Sequence, residues 1–114
     1  MRLWVFTVVA LLAACVDSTN DKMALAMAAA SGDEAMVKKY LHRVESPNFV
    51  SLKGETALGN AAANGHLEVV RIMLEAGADP RFVDAAGRTP VEYAERAGHA
   101  AVYEVLVNSK PMAD

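Results

Sequence analysis

From Ala57 onward, apolar and polar positions alternate with the period of a helix, in short bursts that glycine interrupts. Ala57, Leu58, Ala61 and Ala62 share one face of a short predicted helix. Thr56 precedes them as an N-cap, its oxygen placed to take a backbone N–H that has no helical partner. Gly65 ends the helix by entering the left-handed conformation that other residues avoid. A second helix is predicted from about Leu67 to Ala76. It buries Leu67, Val70, Met73 and Leu74 and leaves Glu68, Arg71 and Glu75 to solvent. Gly77 closes that helix and Asp79-Pro80 turns the chain outward. Residues 82–87 read as a projecting turn before Thr89 starts another helix. Phe49, Val50, Phe82 and Val83 precede the turns and are expected to pack their bases.

This unit recurs with an offset of 33 residues. The offset relates Gly32, Gly65 and Gly98, and likewise Leu25, Leu58 and Val91. It also relates Ala28, Ala61 and Ala94; Val37, Val70 and Tyr103; and Leu41, Leu74 and Val107. Pro47 and Pro80, Gly54 and Gly87, Thr56 and Thr89, and His66 and His99 follow the same spacing. A repeated helix pair cannot bury its apolar face alone, so the units must stack.

The N-terminus has a different pattern. Arg2 precedes an apolar run from Leu3 to Ala14, and polarity rises abruptly from Asp17 to Lys22. That is the layout of a signal peptide. The run is shorter than the roughly 20 residues a helix needs to span a hydrocarbon core. Leu12-Ala13-Ala14-Cys15 resembles the lipobox of bacterial lipoproteins, which implies a diacylglyceryl group on the Cys15 sulfur and cleavage just before it. Cys15 is the single cysteine, so no intrachain disulfide can form. The alternative is an ordinary cleaved signal with an incidental cysteine. Residues 15–22 are then the lipidated cysteine and a tether, and seven extended residues reach at most about 25 Å. Val16 is not the aspartate that often retains such lipoproteins at the inner membrane. The resemblance therefore implies an outer-membrane site facing the periplasm of the bacterial envelope.

Gly54-Glu55-Thr56-Ala57-Leu58, Ala61-Ala62, Asn64 through Val70 and Gly77-Ala78-Asp79-Pro80 together resemble the ankyrin repeat. Gly87-Arg88-Thr89-Pro90 and Gly98-His99 resemble its next copy, and residues 23–48 a degenerate first one. The resemblance implies an all-α fold, an ankyrin-repeat solenoid of about three helix-turn-helix repeats with short β-turn connections. Its repeats are expected at about 23–53, 54–86 and 87–110, within a domain of 23–114. The sequence departs from the family at Ala26, Gly59 and Glu92, where histidine is usual. Asn60 stands at a position the family keeps apolar, and Val44 where Gly77 has its counterpart. A helical glycine costs about 1 kcal/mol against alanine.

Composition narrows the function. The formal net charge is −3, and it becomes −4 once Arg2 leaves with the leader. That is no footprint of a nucleic-acid binder. His42, His66 and His99 are the only histidines; the latter two occupy the family's structural glycine-histidine step, and no pair has metal-ligand spacing. Glu92 follows Thr89 at capping-box spacing. Glu95, Arg96 and Glu104 read as a solvated face, and no nucleophile, phosphate-loop or dinucleotide motif is present. No catalysis, cofactor or metal is expected.

Ankyrin partners are usually held on a concave face of turn tips and first helices. Carried over by position, that face comprises Lys22, Ala30, Ser31, Leu52, Lys53, Glu55, Ala63, Asn64, Ala85, Ala86, Arg88 and Arg96, with a basic trace from Lys53, Arg88 and Arg96. The expected function is a lipid-anchored, monomeric, non-catalytic protein-binding module. The alternatives within that reading are an immunity protein neutralising a periplasmic toxin, which would then be the partner, and an envelope or oxidative-stress accessory protein. An enzyme with an unrecognised site and a purely structural envelope protein are the competing classes.

Overall fold

The computed structural model describes residues 19–109, and over them the chain forms six helices and no strand. The apolar leader, Cys15 and residues 16–18 lie outside the described residues. Helix α1 is formed at residue 19 and runs to residue 31. It is followed by α2 (Glu34–Leu41), α3 (Ala57–Ala63), α4 (Leu67–Glu75), α5 (Pro90–Ala97) and α6 (Ala100–Asn108). One expectation is corrected at once: residues 19–22, read from sequence as the end of a tether, belong to α1. Residue 25 begins the buried face of that helix, and propagation backward adds one hydrogen bond for each residue fixed.

The helices pair as three antiparallel hairpins, and like helices stack on like. α3 packs on α5, while α4 packs on both α2 and α6. Alanine is what allows the first helices to approach: Ala28, Ala29, Ala57, Ala61, Ala62 and Ala94 are all buried. Larger side chains fill the space behind them, with Val37, Val70 and Met73 fully buried. Each such side chain contributes about 1.5–3 kcal/mol relative to exposure.

Two amendments to the expected core follow from the stacking. Val69, absent from the expected set, is 1% exposed, whereas Leu67 and Leu74 are only half-buried. α4 packs on the preceding hairpin as well as on its own partner α3, so spacing within one helix did not single Val69 out. Val50 and Val83, expected under the turns, are 42% and 48% exposed. Only Phe49 is buried there, with Phe82 half-buried.

The first helix of every hairpin ends in the same way. Gly65 N–H donates to Ala62 O at 3.2 Å and His66 N–H to Ala61 O at 3.0 Å, with Gly65 at φ +72°. These two bonds satisfy carbonyls that the helix leaves unpaired. The left-handed step then turns the His66 ring back onto the preceding hairpin, where its Nε2 lies 2.9 Å from Ala30 O. A Cβ placed on Gly32 would come within 2.7 Å of that ring, and one on Gly65 within 2.7 Å of the His99 ring. Both histidines are therefore structural. Gly98 has the same backbone, with open space before it.

Candidate functional site

Between hairpins the chain makes a tight turn, and two of these stand side by side. In the first, Ser51 N–H donates to Glu55 O and Gly54 N–H to Ser51 O, each at 2.8 Å. In the second, Asp84 N–H donates to Arg88 O and Gly87 N–H to Asp84 O, each at 3.0 Å. Ala85 N–H then donates to Gly54 O at 3.1 Å, which binds one turn to the next. The contact is close enough that a Cβ on Gly54 would meet the Ala85 methyl at 2.8 Å. Glycine at this position, with φ +81°, is a condition of the turns lying together.

That arrangement collects the expected binding residues of the turns. Leu52 is 78% exposed, with Lys53 and Glu55 exposed beside it. Ala85, Ala86 and Arg88 are exposed on the adjoining turn. The other expected residues are placed differently. Ser31, Asn64 and Arg96 are exposed at the far ends of α1, α3 and α5, about 10 Å from the turns along a helix the length of α3. Ser31 donates to Ala28 O at 3.1 Å and Asn64 to Asn60 O at 2.9 Å, so both hydroxyl and amide serve their own helix ends. Lys22 is half-buried in α1, its ammonium 5.9 Å from the centre of the Phe49 ring. It packs on the first turn's base and is removed from the candidate surface.

Four residues absent from the expected binding set hold the surface in shape. Asp84 is 8% exposed and accepts from Ala86 N–H at 2.9 Å, Arg88 N–H at 3.0 Å and the Tyr93 hydroxyl. Burial pushes its carboxyl up. The Tyr93 hydroxyl, the two backbone donors and the Arg88 charge together outweigh burial and hold it below 3.8. Tyr93 is held above 10.0, first by its hydrogen bond to Asp84 and then by burial and the Asp84 charge. Arg88 acts on both groups, so its charge is partly spent inside the turn rather than offered outward. Asn60, noted above as a departure, donates to Ala26 O at 3.1 Å and to Glu55 Oε2 at 3.0 Å. It ties α3 both to α1 and to the first turn. A third tie comes from Asn48, which donates to Gly77 O at 3.2 Å and accepts from Asp79 N–H at 2.7 Å.

The glycine that departs from the family in α3 also has a structural account. Gly59 N–H donates to the Thr56 cap at 3.0 Å, and a Cβ there would lie 2.5 Å from that oxygen and 3.4 Å from the Tyr93 ring. Thr89 caps α5 in the expected way, accepting from Glu92 N–H at 3.2 Å. Among the described residues no group of three or more His, Cys, Asp or Glu side chains could hold a metal ion. No described helix is long and apolar enough to cross a membrane.

The arrangement offers shape and hydrogen-bonding groups on a braced edge. A family model described as ankyrin repeats, in three copies, matches residues 7–114. Comparison with curated protein sequences gave no match.

Proposed function

The chain belongs to the ankyrin-repeat family, whose members are typically non-catalytic protein-binding modules, and on that premise we propose that it is a lipid-anchored protein-binding module of the bacterial envelope. The partner meets the paired turns, with Leu52 as the apolar anchor and Lys53 beside it. The observation that carries this reading is a leucine 78% exposed at the tip of a turn that is itself fastened to its neighbour. An exposed apolar side chain on a mobile loop pays an ordering cost when it binds. On a braced turn that cost is already met, and more of the contact energy appears as affinity.

Cys15 supplies the anchor in this reading, and several acyl chains at about 0.8 kcal/mol per buried CH₂ hold far more firmly than one myristoyl group. Metabolic labelling with a palmitate analogue tests it: wild type takes up label and Cys15→Ser does not. Equal labelling of both, or of neither, removes the anchor from the proposal.

The binding surface is tested by capture from bacterial envelope extract. Wild-type chain is expected to retain a defined protein that the double variant L52D/K53E loses while its helical content is unchanged. Arg88 is left intact because its charge bears on Asp84. Retention by the variant, or no protein retained by wild type, overturns the assignment. A captured toxic hydrolase identifies an immunity role, and a housekeeping envelope protein an accessory one.

A further inference from the structure

Resting on the reading of Cys15 as the lipidated residue, we infer that the N-terminal end face of the stack is a second membrane contact that lies against anionic phospholipid headgroups. The first ground is reach. α1 is formed at residue 19, and the four steps of chain from Cys15 to that residue span at most about 14 Å. Residue 19 is then held within about 14 Å of the anchor, a distance comparable to the Debye length of about 8–10 Å at physiological salt.

The second ground is charge. α2 runs back toward the start of α1, where Arg43 Nε lies 3.3 Å from Asp21. The Lys39 ammonium and the Arg43 guanidinium stand 5.5 and 5.8 Å from the centre of the Tyr40 ring. Lys39 and His42 are exposed there, and Lys38 is exposed on another face of α2. Of the nearby acids, Asp21 is paired with Arg43, Asp33 and Glu34 lie at the other end of α2, and Glu45 follows in the loop. Cations thus gather at the end of the molecule from which the chain leads to Cys15, although the whole chain is acidic.

The third ground is the apolar face between those cations. Met36, Val69 and Val102 are related by the repeat offset, as are Tyr40, Met73 and Leu106. Val69, Val102, Met73 and Leu106 are at most 2% exposed, because α4 packs on α2 and α6 on α4. Among the described residues no hairpin precedes α1 and α2, and there Met36 is 36% exposed and Met27 on α1 is 61% exposed. Ala24, Met27, Met36 and Tyr40 line a groove between the two helices, with Asp33 as its one charged lining residue. Methionines and a tyrosine with Lys39 and Arg43 over the tyrosine ring are the composition of an interfacial contact. Lysines are depleted from protein–protein interfaces, whereas an anionic headgroup layer attracts each one that approaches it. Seated this way, the end face would fix the orientation of the paired turns relative to the membrane.

Flotation of the full chain carrying Cys15→Ser tests the contact without the covalent acyl anchor. The probes are vesicles of phosphatidylcholine alone and vesicles with about one third phosphatidylglycerol. Partition is expected to be higher by roughly tenfold or more on the anionic vesicles, to fall with salt, and to lose that increment in K38E/K39E. Both lysines are exposed, and an unchanged circular dichroism spectrum confirms that the variant is folded. Equal partition into both vesicle types, or an increment that survives K38E/K39E, overturns the inference, as does a salt-sensitive protein contact at this face with no vesicle dependence. Failure of the labelling experiment on Cys15 with the increment intact sinks only the anchor. Labelling without the increment sinks only the second contact.

Discussion

The turn at residues 51–55 and the turn at residues 84–88 share one backbone and differ in how the following helix holds it. In the first, Ser51 Oγ accepts from Glu55 N–H at 3.3 Å, and Glu55 reaches Asn60 on α3 through its own side chain. In the second, Asp84 gathers two backbone donors and the Tyr93 hydroxyl of α5 onto one carboxylate. The repeat offset places Ser51 against Asp84, Glu55 against Arg88, and Asn60 against Tyr93. The polar partner has therefore moved from the end of one turn to the beginning of the other. Charged acceptors make the stronger bonds, about 1.5–3 kcal/mol against about 1 kcal/mol for neutral pairs. The second turn is accordingly the rigid one, and the first is steadied by leaning on it through Ala85 N–H and Gly54 O.

The largest effect expected is from Asp84→Ala, which frees all three donors at once. A loss of about 3 kcal/mol is expected, which for a domain of this size lowers the melting temperature by at least about 12 °C. Thermal denaturation followed by circular dichroism measures it, and a shift below about 4 °C would mean that the carboxylate does not brace the turn. Tyr93→Phe removes one donor and leaves the two backbone bonds, so about half that loss is expected. A tyrosine variant as damaging as the aspartate one would place the whole brace in the hydroxyl–carboxylate bond, because phenylalanine keeps the ring that packs near Gly59.

The same pair sets a pH window. Asp84 is held below its ordinary value in the folded chain, so its contribution is complete above about pH 5 and is lost as pH falls through the folded value, below 3.8. Tyr93 is held above 10.0, so its contribution is complete below pH 10 and is lost as pH rises beyond that. The melting-temperature difference between wild type and Asp84→Asn is expected to be constant between about pH 5 and pH 9 and to shrink at both extremes. A difference that grows toward acid would contradict the carboxylate's assigned role.

The contrast also explains what could be read from the residues alone. Helix positions, caps and the glycine-histidine steps depend on short-range spacing and on φ at single residues, and Thr56, Gly65 and Thr89 announced them. The placement of the turn residues at one edge followed from the repeat. The braces did not, because each joins residues at different offsets: Asp84 to Tyr93, Asn60 to Ala26, Asn48 to Gly77. A search of one repeat template treats Asn60 as a departure and passes over Tyr93, when both are points where neighbouring repeats are fastened. The exposure of Met36 and the half-burial of Tyr40 were hidden for a related reason. Their burial elsewhere is set by the preceding hairpin, and the pattern within α2 holds no sign of whether one is present. Lys22 lies on α1 with its ammonium near the Phe49 ring, a position that the tether reading of residues 16–22 did not give it.

Asn60→Leu sharpens the comparison from the other side by installing the apolar residue the family prefers. It removes the bonds to Ala26 O and Glu55 and offers packing in return. A net loss of about 1 kcal/mol is expected, with Glu55 released from the first turn. No change, or a gain in stability, would mean that packing at this position outweighs the tie.

The smallest effect belongs to Ser51→Ala. Its hydroxyl accepts one long bond at 3.3 Å, while the backbone bonds between residue 51 and Glu55 and Gly54 remain. Water can reach the freed Glu55 N–H, since Glu55 is exposed, so the orphaned donor costs little. A loss of about 0.5 kcal/mol, or roughly 2–4 °C in melting temperature, is expected. Should this change cost as much as Tyr93→Phe, the two turns would be braced equally. The preorganised part of the binding surface would then extend to Leu52 without help from its neighbour. Should it cost as little as expected, Asp84→Ala is predicted to weaken capture through Leu52 as well, because the first turn borrows its order from the second.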